Sequence, residues 1–276
     1  MSSNCVDYSG AEYSKFRPTY NPEIYHFIFE FHAKHQGQNN LALDVGTGTG
    51  QVAIEICNTF KHVYAIDPLS EQINNAAARD NITYQVGSAE DLSQFQDHSI
   101  DMITAGTAFH WFDHAAFFKE AKRVLKKETG TLAVFGYFYP VIKNEPKATE
   151  LIKALHTGDF EKYSNQNLRF IRNMYRDIEF PFKHQTWYIT PPSEDVTHKS
   201  EVIDYSLMVI SMSIEGLGHY MKTSSAYSNY MKDPENKGKE DPVDKLIQEI
   251  MQVMDIKDKK HIVELEWPTV LVLSKN

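Results

Sequence analysis

The stretch Leu41-Ala42-Leu43-Asp44-Val45-Gly46-Thr47-Gly48-Thr49-Gly50 constrains the chain more than any other. An apolar run that ends in alternating glycines and resumes with apolar residues at helical spacing reads as strand, tight turn and helix. Such a turn lets backbone amides approach a ligand closely. The spacing is Gly-x-Gly-x-Gly, not the Gly-x-Gly-x-x-Gly of pyrophosphate binders, and Asp44 stands where a carboxylate would repel a phosphate. The pocket therefore suits a ligand carrying ammonium and sulfonium charge. Asp67, at the end of the next apolar run, is placed to accept hydrogen bonds from ribose hydroxyls. Together these features point to S-adenosylmethionine (SAM) and disfavour a dinucleotide-dependent oxidoreductase.

The flanking pattern extends this reading. Val52, Ala53, Ile56 and Phe60 form the buried face of a first crossover helix, and residues 63–66 a short strand ending at Asp67-Pro68. Ser70 is the expected N-cap of a helix through Arg79. Residues 82–86 read as a third strand closing in Gly87-Ser88-Ala89-Glu90-Asp91, residues 101–106 as a fourth, 114–125 as a helix and 131–138 as a fifth strand. Strands alternating with helices imply parallel βαβ units, whose ligand crevice lies at the carboxyl ends of the strands. The glycines, Asp67 and the turn at 88–91 all fall on that edge.

Beyond Pro140 the rhythm changes. Helices are expected at 147–156 and 168–177, the latter carrying Arg169, Arg172 and Arg176 on one face, followed by a sixth strand at 178–189. Residues 201–221 read as an amphipathic helix, 227–244 as a solvated loop, 243–254 as a helix, and 262–273 as a closing strand interrupted by Pro268 at a bulge or edge. At the other end, residues 13–22 are either a strap on the core or a lid in which Tyr13 and Arg17 reach the ligand's carboxylate, arginine being suited to bidentate contacts. A helix follows from Pro22 to about Lys34. The expected organisation is one domain of 276 residues: a lid at about 8–36, a core at 41–140, an inserted cap at 141–255 and a closing strand at 262–274.

Composition narrows the function classes. A formal charge of -9 opposes non-specific attraction to nucleic acid or an anionic membrane, favouring a small-molecule partner. Cys5 and Cys57, the two cysteines, provide neither a disulfide scaffold nor a four-cysteine zinc site, and no His-Glu-x-x-His pattern suggests a metal. No basic segment followed by an apolar run opens the chain, and no stretch approaches the ~20 apolar residues of a membrane span. A cytoplasmic location is expected.

The segment Arg17-Pro18-x-Tyr20, the run Asp44-Val45-Gly46-Thr47-Gly48-Thr49-Gly50, and Ile66-Asp67-Pro68, Ala89-Glu90-Asp91-Leu92 and His110-Trp111-Phe112-Asp113 resemble class I SAM-dependent methyltransferases. Within them the likeness is to the trans-aconitate methyltransferase-like group of fungal small-molecule enzymes. A weaker patch comprises Ser225-Ala226-Tyr227, Lys232-Asp233-Pro234 and Glu266-Trp267. Relatives often carry cysteine at Thr47 and tryptophan at Ser224. The resemblance implies a Rossmann-like α/β fold: a seven-strand sheet in the order 3-2-1-4-5-7-6, the last strand antiparallel, with a helical cap inserted between strands six and seven. It implies that Asp67 holds the ribose, Gly46, Gly48 and Gly50 the methionine moiety, and Ala89 and Glu90 the adenine edge, with Thr47 and Pro68 among the cofactor contacts. Gly106, Thr107 and Ala108 would line the methyl path.

Methyl transfer from a sulfonium is an in-line displacement, so the protein supplies alignment and a dry site. A carboxylic acid with a pKa of about 4 is already a nucleophile at pH 7, whereas a hydroxyl or carbon acceptor needs a base. His110 is the candidate base, with cofactor contact or a structural hydrogen bond as alternatives; Asp113 is second. Trp111 is a candidate acceptor wall, and Arg169, Trp187 and Tyr227 are candidates for a roof over an anionic acceptor. O-methylation of a small carboxylate is favoured. Methylation of a quinone- or sterol-type lipid precursor and a non-catalytic SAM-binding protein are the alternatives.

Overall fold

The computed structural model describes residues 20–190, 200–201 and 205–276. In chain order the strands are β1 (Leu41–Val45), β2 (His62–Asp67), β3 (Ile82–Val86), β4 (Met102–Gly106), β5 (Thr131–Tyr137), β6 (Val141–Ile142), β7 (His184–Thr190), β8 (Ser200–Glu201), β9 (Val209–Ser213), β10 (Ile262–Glu266) and β11 (Thr269–Lys275). The α-helices are α1 (Pro22–Lys34), α2 (Gln51–Ile56), α3 (Ser70–Asn74), α4 (His114–Val124), α5 (Pro146–Thr157), α6 (Leu168–Arg172), α7 (Ile214–Lys222), α8 (Ser225–Lys232) and α9 (Pro242–Val253). The chain forms two units. The described residues of one are 20–138, 169–190, 200–201, 205–207 and 269–276; those of the other are Tyr139–Leu168 and Met208–Pro268.

The first unit is built on a sheet ordered β3-β2-β1-β4-β5-β11-β7, with β8 added at the edge. Strands β1 to β5 pair in parallel, and β11 runs antiparallel between β5 and β7. With β7 as the sixth major strand and β11 as the seventh, this is the expected order. Every residue of β5 is buried, as the two-sided cover of a parallel sheet requires. Helix α1 belongs to this unit: Ile24 and Ile28 are wholly buried, and Phe27 stacks on Tyr188 of β7 at 4.6 Å. The His32 ring accepts from the Thr131 hydroxyl at 2.8 Å and donates to the Gln38 carbonyl at 3.1 Å, and burial holds its pKa below the ordinary value. Residues 22–34 thus form a helix whose inner face is buried in this unit.

The second unit contains a three-stranded antiparallel sheet, β6-β10-β9, with α9 packed on α5 and α7. The expected helical cap therefore carries a sheet of its own. It also comes from two chain segments, one before and one after β7. Its existence explains two misread stretches. Residues 201–221 are not one helix, because Val209–Ser213 pairs with β10 and Ser213 then caps α7 through a 3.0 Å bond from the Gly216 N–H. The closing segment is two strands. β10 lies in the small sheet and β11 in the large one, and Trp267-Pro268 makes the change because proline cannot donate to a ladder.

Other boundaries moved for local reasons. The helix expected to reach Arg79 stops at Asn74, with Leu69 and not Ser70 at its N-cap, and the Ala77 carbonyl is taken by the Tyr84 hydroxyl at 3.1 Å. The helix expected at 168–177 ends at Arg172, where Met174 and Tyr175 adopt φ of 51° and 57°. Arg176 consequently does not share a helical face with Arg169 and Arg172. Residues 227–244, read as a loop, begin inside α8, whose N-terminus Ser224 caps by accepting the Tyr227 N–H at 3.2 Å. Among the described residues no helix is long and apolar enough to cross a membrane.

Candidate functional site

The carboxyl ends of β1, β2, β3 and β4 define one edge of the large sheet, and most of the sequence-predicted site residues collect there. The glycine turn after β1 is held by backbone bonds from the Thr47 N–H to the Ile66 carbonyl and from the Gly50 N–H to the Thr47 carbonyl, each 3.0 Å. Gly46 has φ of +66°, and a Cβ there would fall 2.4 Å from the Ala108 Cβ, so the turn fits against the β4 loop only as glycine. Gly48, at φ +57°, is different: a Cβ would meet nothing closer than the Gln51 and Gln72 side chains at 3.8 and 3.9 Å. The turn is crowded beneath and open above.

Asp67 locks this turn to the end of β2. One carboxylate oxygen accepts the Gly48 N–H and the other the Leu69 N–H, both at 2.9 Å. Each oxygen keeps a second lone pair for a further donor. Burial pushes the Asp67 carboxyl above its ordinary pKa, and the two amide bonds work against that. Asp44 is 1% exposed, and its two oxygens accept the hydroxyls of Thr47 at 2.6 Å and Thr104 at 2.7 Å. Burial pushes its pKa up to about 6, the Asp67 charge adding to the rise. The two carboxylates therefore feel one another across the turn. No cation balances them there among the described contacts. A positively charged adenosyl ligand fits this donor set; a pyrophosphate does not.

The remaining edge residues tie neighbouring loops together. Glu90 accepts the Ser88 hydroxyl and, at 3.0 Å, the Asp113 N–H, joining the turn after β3 to the loop after β4. Ala89 is buried beside it, while Pro68 is exposed. Gly106 ends β4, where a Cβ would strike Val52 at 2.7 Å. Thr107, next in line, has φ of +50°, gives its N–H to the Phe135 carbonyl at 2.7 Å and its hydroxyl oxygen bonds the Tyr20 hydroxyl.

His110 and Trp111 diverge. His110 is 3% exposed with Nδ1 3.3 Å from the Tyr175 hydroxyl, whereas the neighbouring Trp111 is 46% exposed. Asp113, the second candidate base, N-caps α4 by accepting the Ala116 N–H at 3.1 Å. Arg169 is exposed with its guanidinium over Phe170 at 4.8 Å. Trp187, assigned from sequence to the cap, lies instead in the middle of β7, buried against Phe180 at 5.2 Å. Tyr227 is in the second unit, where it donates to Asp241 at 2.7 Å. Tyr13 and Arg17 lie outside the described residues.

Three partners of the candidate residues escaped the sequence reading. Thr104 faces Asp44 only because β1 and β4 pair in a register that matches them. Tyr175 is buried by a turn hidden inside an expected helix. Tyr20 carried a visible signal, the Arg17-Pro18-x-Tyr20 motif, but nothing in the motif named its partner.

Comparison with known proteins agrees with this geometry. A methyltransferase-domain family matches residues 43–134, which span β1 to β5. A Dictyostelium discoideum protein named as a methyltransferase is 29% identical over 266 residues, 95% of this chain and 91% of that one. The Saccharomyces cerevisiae protein CRG1, named as a SAM-dependent methyltransferase, is 25% identical over 98% of this chain and 96% of its own. A solved structure described as a type II methyltransferase, from Anaeromyxobacter dehalogenans, shares the fold with a TM-score of 0.72 at 21% identity, covering 94% of this chain and 98% of that one. Residues 43–134 thus match a methyltransferase domain, and the chain is an enzyme that takes S-adenosylmethionine as its methyl donor.

Proposed function

We propose that this methyltransferase acts in the cytoplasm on a small anionic molecule and transfers the methyl group to a carboxylate oxygen, as in a trans-aconitate-like di- or tricarboxylic acid. The observation that carries the reading is the placement of the two candidate bases. His110 is buried against Tyr175 and Asp113 caps a helix, so both side chains have structural work. An acceptor already ionised at neutral pH needs neither. The net charge of -9 and the fungal small-molecule likeness agree with a small acceptor rather than nucleic acid.

In this reading Asp67 and Pro68 hold the ribose, Ala89 and Glu90 flank the adenine, and Gly46, Thr47, Gly48 and Gly50 cradle the methionine moiety. Asp44 sets the charge beneath them, with Tyr13 and Arg17 at the ligand's carboxylate. When bound, SAM supplies the electrophilic methyl group. Gly106 and Thr107 line its path, Trp111 forms an exposed wall for the acceptor, and Arg169 offers a cation to hold it in line. The residues exclude water and align the acceptor oxygen, which is where their rate contribution lies.

A methyl-transfer screen with labelled cofactor against mono-, di- and tricarboxylic acids, with phenols and lipid precursors as controls, tests this. At saturating SAM, a carboxylate should be methylated at a rate that stays flat as pH falls from 8 to 6. Methylation of phenols alone, or a rate that follows a group titrating near 6.5, would replace the base-free reading with His110 as base.

A further inference from the structure

The Tyr20 hydroxyl and the Thr107 hydroxyl meet in a hydrogen bond that joins residues 87 apart in sequence, at the tip of β4. Thr107 is held there in a left-handed conformation that β-branched residues rarely adopt, with φ of +50°. Strain of this kind persists where the surroundings over-determine it, and it gathers at ligand sites. The surroundings are explicit: the Thr107 N–H is fixed on the Phe135 carbonyl, and the Tyr20 ring sits edge-on to Phe135 and Tyr137 at 4.7 and 5.8 Å. Ala108, the next residue, abuts the glycine turn at Gly46. The hydroxyl pair therefore stands beside the turn assigned to the methionine moiety, on the side of the methyl path.

We propose that the Tyr20–Thr107 hydroxyl pair reads the charged methyl end of the donor and so separates SAM from its neutral product, S-adenosylhomocysteine. Each hydroxyl brings one hydrogen, and one of the two lies between the oxygens. Either hydroxyl can donate in that bond, and at least one lone pair remains on each oxygen. Burial holds the Tyr20 pKa well above its ordinary value, so the pair acts as a neutral dipole at working pH. Its electron-rich oxygens attract the polarised C–H bonds of a sulfonium methyl, whereas the product has neither that methyl nor that charge. A C–H···O contact of this strength corresponds to about a two- to fivefold preference. The inference rests on the cofactor placement given under the proposed function.

Calorimetric titration of the full chain with SAM and, separately, with S-adenosylhomocysteine tests it without any acceptor. Tyr20→Phe and Thr107→Ala should each lower the SAM-to-product affinity ratio by about two- to fivefold, and Thr107→Ser should keep the wild-type ratio. If Tyr20→Phe fails to fold, the two Thr107 variants decide. Loss of affinity for both ligands by the same factor would make the pair a structural prop and overturn the proposal, as would an unchanged ratio. Indifference of both affinities to Asp67→Ala would instead overturn the cofactor placement, and this proposal with it.

Discussion

Asp44 couples cofactor affinity to pH. In the free protein its carboxyl, 1% exposed, titrates at about 6 because burial disfavours the charge more than the Thr47 and Thr104 hydroxyls favour it. A sulfonium cation above the turn stabilises the ionised form and should return the pKa toward the ordinary value near 4. Rising from there to about 6, at about 1.4 kcal/mol per tenfold, amounts to roughly 3 kcal/mol of coupling. Binding then releases a proton wherever the free protein still holds one. Affinity for SAM should be about tenfold weaker at pH 5 than at pH 7, with about half a proton released at pH 6, seen by calorimetry in buffers of different ionisation enthalpy. The sign for stability is opposite. A folded pKa above the unfolded one gives stability that is present below pH 4 and lost as pH rises through 6. Asp44→Asn should therefore resist denaturant better than the wild type at pH 7.5, by up to about 3 kcal/mol, with the advantage gone by pH 4, while binding SAM poorly and without the pH slope. A pH-independent wild-type affinity, or the same slope in Asp44→Asn, would refute the argument.

Asp67→Ala removes the acceptor that holds the Gly48 and Leu69 N–H groups and the one assigned to the ribose. Hydrogen bonds to a charged group are worth about 1.5–3 kcal/mol, so affinity for S-adenosylhomocysteine should fall about ten- to a hundredfold by calorimetry; an unchanged value would place the ribose elsewhere. Trp267→Ala should destabilise the second unit by about 3–5 kcal/mol, since Trp267 is wholly buried and its indole donates to the Tyr220 hydroxyl at 3.1 Å. A denaturant midpoint within error of the wild type would contradict that.

The sequence by itself determined the glycine turn, the parallel core and the cofactor class. Residues 41–50 and Asp67 carry a local code in which strand, bend and carboxylate lie within one βα unit, and short-range pattern suffices to read it. Only the tertiary structure decided what Asp44 faces, because Thr104 reaches it through the register of β1 with β4. The same holds for the partnership of Tyr20 with Thr107 and for the turn that buries Tyr175. It holds too for Trp267-Pro268, where one expected strand is divided between two sheets. Strand pairing and packing act between residues far apart in the chain, and their outcome depends on contacts that no local pattern records.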